Sequence, residues 1–466
     1  MGRVGYLAKN IGYLAIGQLG TKLLSFFLVP LYTYVLTTAE YGTYDLFNTT
    51  VSLLIPLLSL NICDAALRFS LDKNYNRRSV FSISLYHLFW CILWGIFFIV
   101  INTVFEIISI INDYPILFFL MLITTAANGI INCFARGIDK VRDVAISGVI
   151  CSVIIVCLNL LFLLPLHMGL IGYFLANILG FLAQFIYLFV AIKGWKYLKW
   201  EKLDKKLHKE MLAFSKPMIL NNVSWWVNGV SNRYVIVWLC GVAANGIFSV
   251  SYKIPSILMI FQSVFNQAWT LSAVHEFEKE GRDDFFSKMY ASYNVCMTLI
   301  CSLLITTSRL IASVLYLKDF YDAWQFVPFL LIATVFGSLS GYVGGIYTAL
   351  KDTKIFAITS VYGAVANLLI TLLLVWKIGV MGAAIAAFIS YALIWYLRIK
   401  NIKRYMNLKI SYVRDCFGYV VLIIQSVFLF FIEESVLFYA IEMTLFFSLC
   451  FTHRSLLLII YKKIIT

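Results

Sequence analysis

Charged side chains are scarce in this sequence. Asp, Glu, Lys and Arg make up 13% of its 466 residues, about half the roughly 25% of a water-soluble domain. That shortage excludes an ordinary soluble enzyme or binding module. The ten cysteines stand singly, most of them inside apolar runs, with no CxxC. This pattern argues for buried, inert thiols rather than a disulfide framework. The five histidines (His87, His167, His208, His275 and His453) show no HExxH or similar spacing. Neither a metal site nor any other cofactor is expected.

What the chain does have is apolar length. Hydrophobic residues account for 62% of it, and several runs reach the ~20 residues that cross a bilayer as helix. Breaks at charged residues, Gly and Pro delimit spans near 11–36, 43–69, 79–103, 114–134, 144–165 and 170–193, then 213–239, 245–274, 289–316, 324–349, 355–377 and 380–399, and finally 412–432 and 434–452. The first span shows no small-residue cleavage site and reads as a retained helix. The expected fold is an all-α polytopic membrane protein of about 14 transmembrane helices, by this hydropathy reading. Residues 1–193 form an N-terminal lobe, 194–212 a basic cytoplasmic linker, 213–400 a C-terminal lobe, and 401–466 the last two spans with a tail. With both termini in the cytoplasm, cytoplasmic segments hold 29 of the 37 Lys and Arg residues, and external loops only Arg309, Lys318 and Lys377. That asymmetry fits the positive-inside rule. It also assigns the net charge of +14 to loops facing anionic lipid, so no nucleic-acid partner is implied.

One phrase is written twice. GLIGYFLA runs from Gly169 to Ala176 and GVMGAAIA from Gly379 to Ala386, at the starts of the sixth and twelfth spans. AEYG at 39–42 and AANG at 243–246 repeat at nearly the same offset. Six spans per repeat make the two lobes parallel repeats, and small residues at helix starts permit close helix approach. A duplicated bundle suits alternating access about a central cavity, which says transporter without saying of what.

Ionisable residues at membrane depth cost about 2.5–3.5 kcal/mol each on insertion scales. They are Lys22, Asp64, Arg68, Arg233, Lys253 and Glu442. Gln18, Lys22 and Ser25 share one face of the first span. Ser249, Lys253, Ser256, Ser263 and Gln267 share a face of the eighth, and Asn221, Asn228 and Asn232 a face of the seventh, beside Arg233. Such stripes face water or protein rather than lipid. Interhelical hydrogen bonding accounts for the serines and asparagines but poorly for two lysines. A wet cavity holding Lys22, Arg233, Lys253 and Arg68 against Asp64 alone would attract anions. Asp64 is either the i, i+4 ion-pair partner of Arg68 or an ion-coupling site. Trp225, Trp226, Trp269 and Tyr252 either stack on sugar rings or pack at the interface. No partner for Glu442 is legible. Pro30, Pro56 and Pro255 mark bends in the charged helices.

Residues 7–69, LAKNIGYLAIGQLGTKLLSFFLVPLYTYVLTTAEYGTYDLFNTTVSLLIPLLSLNICDAALRF, resemble the start of bacterial polysaccharide-transporter family proteins. These are the O-antigen and capsule flippases of the multidrug/oligosaccharidyl-lipid/polysaccharide exporter superfamily. The matching features are Asn10, Lys22, PLYT at 30–33, EYG at 40–42 and ALRF at 66–69. Family members often carry an arginine after the PLYT-like phrase, where this chain has Tyr34. The resemblance implies a flippase moving polyprenyl-pyrophosphate-linked oligosaccharide, an O-antigen, capsule or exopolysaccharide unit, from the cytoplasmic to the outer leaflet of a bacterial cytoplasmic membrane. Expected partners are that lipid-linked sugar, membrane lipids, and polysaccharide polymerase and chain-length proteins. The alternative is a cation-coupled drug antiporter on the same fold, which would want carboxylates in its cavity. An enzyme is not expected, because the external acids Glu40, Glu106, Asp113, Asp319, Asp322, Glu433 and Glu434 form no constellation and the external connections are short.

Overall fold

The computed structural model of the chain describes residues 24, 26–72, 74–198, 204–276, 281–350 and 353–454. Among them it is helix joined by short connections, with no β-strand. The chain divides into two compact units, Met1–Trp226 and Val227–Thr466. The first holds α1 (Val29–Val35), α2 (Thr38–Leu58), α3 (Ile62–Leu71), α4 (Arg77–Phe105), α5 (Ser109–Asp113), α6 (Pro115–Gly137), α7 (Val141–Leu163), α8 (Gly169–Ala191) and the first part of α9 (Lys205–Cys240). The second holds the rest of α9, then α10 (Val242–Ser251), α11 (Lys253–Glu276), α12 (Arg282–Thr306), α13 (Ser308–Leu315), α14 (Val327–Ala349), α15 (Thr353–Ile378), α16 (Met381–Ile402), α17 (Tyr412–Phe431) and α18 (Val436–Thr452).

Nine spans among the described residues are long and apolar enough to cross a membrane, and eleven if each of two bent helix pairs is one span. The remaining three expected spans are the first, of which α1 is the described helix, the seventh, within α9, and the fourteenth, the shorter apolar helix α18. This is a multi-pass membrane protein. Large apolar side chains such as Phe89, Trp94 and Phe97 on α4 and Leu369, Leu373 and Trp376 on α15 stand exposed, as lipid-facing surface requires.

The repeat is visible in the packing. In the first unit Phe47 and Leu54 of α2, Phe118 and Leu122 of α6, and Phe174 and Ile178 of α8 share one core. In the second, Phe248 of α10, Leu330 and Ala333 of α14, and Ala383 and Ala387 of α16 do the same, joined by Ile236 of α9. These are the second, fourth and sixth spans of each set. The twice-written glycine phrase has a twofold explanation. Gly169 and Gly379 have φ of +52° and +63°, left-handed values that favour glycine, and each turns the chain into its helix. Gly172 and Gly382 sit where that helix crosses its predecessor. A Cβ on Gly172 would meet the Phe162 Cβ at 2.9 Å, and one on Gly382 the Leu374 carbonyl carbon at 2.3 Å.

Two of the three prolines lie beside bends, whereas Pro30 sits in the first turn of α1. The peptide N–H of Asn61 donates to the Pro56 carbonyl at 2.9 Å. Leu60 and Asn61 take left-handed φ of 51° and 53°, and α3 leaves α2 at 59°. In the second unit α10 and α11 meet at 45°, with Pro255 in the first turn of α11, where a missing N–H breaks no helical bond.

Residues 205–212 of the basic stretch are helical and continuous with the seventh span. Asp204 opens α9 by accepting the N–H groups of Lys206 and Leu207 at 3.0 and 3.1 Å. Leu207 and Met211 then pack on Ile62, Phe69, Val80 and Ile130. His208 Nε2 meets His87 Nε2 at 2.9 Å, and the Tyr75 hydroxyl donates to Glu210 Oε2 at 3.0 Å. One expectation is corrected here. Cys63 of α3 and Cys133 of α6 form a disulfide, with their Cα atoms 5.7 Å apart. The bond joins residues 70 apart in sequence, a pairing that exists only because the ends of α3 and α6 lie side by side.

Candidate functional site

In the second unit the helix break gathers positive charge. Tyr252 carries the turn between α10 and α11, and Lys253 is the first residue of α11. From α9 the Arg233 guanidinium carbon lies 5.3 Å from the centroid of the Tyr252 ring, within cation–π range. Arg233 and Lys253 are both half-buried. The serine stripe around them is turned onto its own helix. Ser256 donates to the Lys253 carbonyl at 2.5 Å and Ser263 to the Ile260 carbonyl at 2.9 Å, whereas Ser249 is buried.

The asparagines of α9 are buried and serve neighbouring helices. Asn228 Nδ2 donates to the Ser360 carbonyl at 2.9 Å. Asn232 donates to the Ala383 carbonyl at 3.3 Å and accepts from Asn367 Nδ2 at 2.7 Å and Thr371 Oγ1 at 3.1 Å. Gln18 and Lys22 lie outside the described residues, as does the side chain of Gln267.

In the first unit the bend between α2 and α3 holds the acid. Asn61 Nδ2 donates to Asp64 Oδ2 at 2.7 Å, and Asn61 Oδ1 accepts from Asn222 Nδ2 of α9 at 3.0 Å. Asp64 is therefore held by the residue that makes the bend, and Arg68, one turn on, is exposed. Of the four aromatics, Trp225 is exposed, and Trp226 Nε1 donates to the Thr49 carbonyl at 3.0 Å. Trp269 is buried, stacked on Tyr342 at 4.1 Å and donating to its carbonyl; its faces are occupied by protein.

One buried ionisable group is absent from the sequence expectations, and another had no legible partner there. Arg398 of α16 is fully buried. Its guanidinium donates to Thr359 Oγ1, the Ser340 carbonyl and Ser360 Oγ at 3.1, 2.9 and 2.8 Å and stacks 4.3 Å from the Phe356 ring. This is a clasp joining α14, α15 and α16. Its place one residue from the expected end of the twelfth span concealed it among loop charges. Glu442 was noticed, but its neighbours Thr306 and Gln425 lie on distant helices.

A helical bundle written twice, with bends in the second span of each copy, is the fold of a membrane transporter. Solved structures bear this out. The lipid II flippase MurJ in an inward closed conformation superposes with a TM-score of 0.73 at 13% identity, over 97% of this chain and 99% of that one. An inward-facing multidrug resistance MATE family transporter of the MOP superfamily gives 0.68 at 13% identity, over 84% and 98%. The model of the polysaccharide biosynthesis protein family matches residues 7–273, more than half of the chain, and the protein belongs to that family. Multidrug and toxin extrusion protein 1 of Rattus norvegicus is 24% identical over 259 residues, 51% of this chain. The match spans 44% of that relative's length.

Proposed function

We propose that this protein is a flippase that moves polyprenyl-pyrophosphate-linked oligosaccharide, an O-antigen, capsule or exopolysaccharide repeat unit, from the cytoplasmic to the outer leaflet of a bacterial cytoplasmic membrane. The observation that carries the reading is the pair of cations at the α10–α11 bend, within a chain of the polysaccharide biosynthesis family. Lysine serves phosphate as a point charge and arginine as a fork, so Arg233 and Lys253, with Lys22 of the first span, suit a pyrophosphate. Gln18, Ser256, Gln267 and Arg68 complete the proposed substrate-binding set, with Asn228 and Asn232 holding the α9 helix that carries Arg233 to its neighbours. The head group enters a cationic cavity, the polyprenyl tail remains in lipid, and differential affinity of the head for two states drives alternating access. Both termini are cytoplasmic in this reading, and polymerase and chain-length proteins receive the product.

A cation-coupled antiporter is the second reading, favoured by the likeness to the rat extrusion protein and by the Asp64 carboxylate at the α2–α3 bend. Depletion of the protein followed by mass spectrometry of the lipid extract separates the two. The flippase reading expects polyprenyl-pyrophosphate oligosaccharide to accumulate while surface polysaccharide disappears. No accumulation, with sugar assembly active, would overturn it.

A further inference from the structure

A file of polar side chains runs along the interface of α12, α17 and α18. Asn294, Thr298, Ser302 and Thr306 of α12 recur every four residues and so share one helix face; all four are buried. Opposite them lie Tyr419 and Gln425 of α17 and Glu442 of α18, also buried. Ser302 Oγ donates to Gln425 Oε1 at 2.8 Å. Gln425 Nε2 donates to Thr306 Oγ1 at 3.2 Å and to the Glu442 carbonyl at 3.4 Å. The single-proton hydroxyl of Thr306 lies 3.0 Å from the Ser302 carbonyl and 3.3 Å from Glu442 Oε2. At the other end of the file the Tyr419 hydroxyl donates to Asn294 Oδ1 at 3.0 Å.

Three ionisable groups along this seam keep a buried atom without a hydrogen-bond partner: Glu442 Oε1, Asp415 Oδ2 and His453 Nδ1. Asp415 is paired with Arg414 at 2.8 Å. Glu442 is the seventh residue of α18, roughly 9 Å along the helix at about 1.5 Å per residue. It has no ion-pair partner among the described residues. The titratable and charged groups that face the seam are Cys301 of α12, Asp415 and Tyr419 of α17, and His453 at the end of α18, with Arg309 at the opposite end over the Phe438 ring at 5.4 Å. A carboxylate so enclosed, with one shared neutral hydroxyl and no cation, is not a stable ionised species. The neutral acid fits. A metal ion does not, because Gln425 turns its oxygen to Ser302 and its nitrogen toward Thr306 and Glu442, leaving Thr306 as the one side-chain oxygen beside the carboxyl.

We propose that Glu442 is a proton-exchange site: it holds a proton while α12, α17 and α18 are packed together, and releases it to water when the seam opens. The proton leaves the carboxyl O–H and the carboxylate is hydrated until the helices close again. Nothing in the substrate assignment is needed for the site itself; only its part in a transport cycle rests on the flippase reading.

Infrared titration of the purified full chain in lipid nanodiscs, beside Glu442→Gln and Glu442→Asp, tests it. Glutamine reproduces the neutral acid, so the fold should hold. The expected result is a protonated-carboxyl band at neutral pH that disappears on alkalinisation and is missing in Glu442→Gln. Absence of the band, or a band that never titrates, overturns the proposal. In cells, Glu442→Gln at normal abundance should cut surface polysaccharide at least tenfold, with Glu442→Asp retaining part of it. Full export by Glu442→Gln reduces the residue to helix packing. If Glu442→Gln is degraded, the Asp variant must show the band with a shifted midpoint, and an unchanged midpoint overturns the assignment. Failure of the flippase reading appears separately, as depletion without lipid-linked sugar, and leaves the infrared result standing.

Discussion

The guanidinium of Arg233 lies 5.3 Å from the ring of Tyr252, the residue at which α10 bends into α11. The contact pins a cation from the seventh span to the break in the eighth, next in chain to Lys253. A cation–π pair of this kind contributes about 0.5–2 kcal/mol. It positions the charge beside the bend that carries Lys253.

Arg233→Ala and Lys253→Ala should therefore weaken export with abundance unchanged. Loss of one hydrogen bond to a charged group removes about 1.5–3 kcal/mol, roughly ten- to a hundredfold in affinity. Surface polysaccharide measured in complemented cells reads the effect. Lys22→Ala with Lys253→Ala should be worse than either alone, and full export by that double variant would sink the cationic-cavity account.

Cysteines placed at Ser256 and Ser263 should react with a water-soluble thiol reagent in a background lacking reactive native thiols. Among the described residues their hydroxyls bond to their own helix, so replacement breaks no hydrogen bond between described helices. Labelling no faster than at lipid-facing positions such as Leu369 would mean that this face is dry.

Asn232 predicts a stability effect instead. It ties α9 to α15 and α16 through Asn367, Thr371 and the Ala383 carbonyl. Asn232→Ala strands those partners, at about 1–3 kcal/mol for each buried group left unsatisfied. Thermal unfolding in detergent should shift down clearly. An unshifted transition would show that the network adds nothing.

The glycine phrase makes a paired prediction. Gly382→Ala drives a methyl to 2.3 Å from backbone at Leu374, whereas a Cβ on Gly229 meets nothing within 4 Å. Gly382→Ala should lower folded yield in the membrane, and Gly229→Ala should not. Equal yields would contradict the close crossing of α15 and α16.

Acid should loosen the start of α9. Burial, and then the Lys216 charge, hold His208 below the ordinary histidine value, so folding favours its neutral form. That contribution is complete above about pH 6.5, the unperturbed value, and is lost as pH falls through the lower folded value. Protection of the amides at residues 204–212, corrected for the intrinsic pH dependence of exchange, should fall as pH drops below about 6.5, and His208→Gln should flatten the dependence. Corrected protection that ignores pH in the parent protein would contradict burial of a neutral His208.

The sequence disclosed what is local or repeated. Gly169 and Gly379 announced the two matching helix starts, and Pro56 and Pro255 announced the bends, because each acts through its own backbone. Stripes such as Asn228 and Asn232 were legible as polar faces. Whether such a face meets water or another helix was not, since Asn232 reaches its partner Asn367 across 135 residues. Separation in sequence also hid the Cys63–Cys133 bond, 70 residues apart, and the Thr306 neighbour of Glu442, 136 residues away. Arg398 was missed for another reason: a basic residue near a span end looks like a loop charge until the fold closes over it.

The central claim is transport of a pyrophosphate-linked sugar lipid, and reconstitution tests it most directly. Purified protein in liposomes carrying polyprenyl-pyrophosphate oligosaccharide from depleted cells is challenged from outside with a membrane-impermeant glycosidase. The account predicts that the protein renders the inner-leaflet sugar cleavable, and that Lys253→Ala slows this about tenfold, as the loss of one charged contact to phosphate implies. Cleavage that stops at the outer-leaflet share, with and without protein, would contradict it.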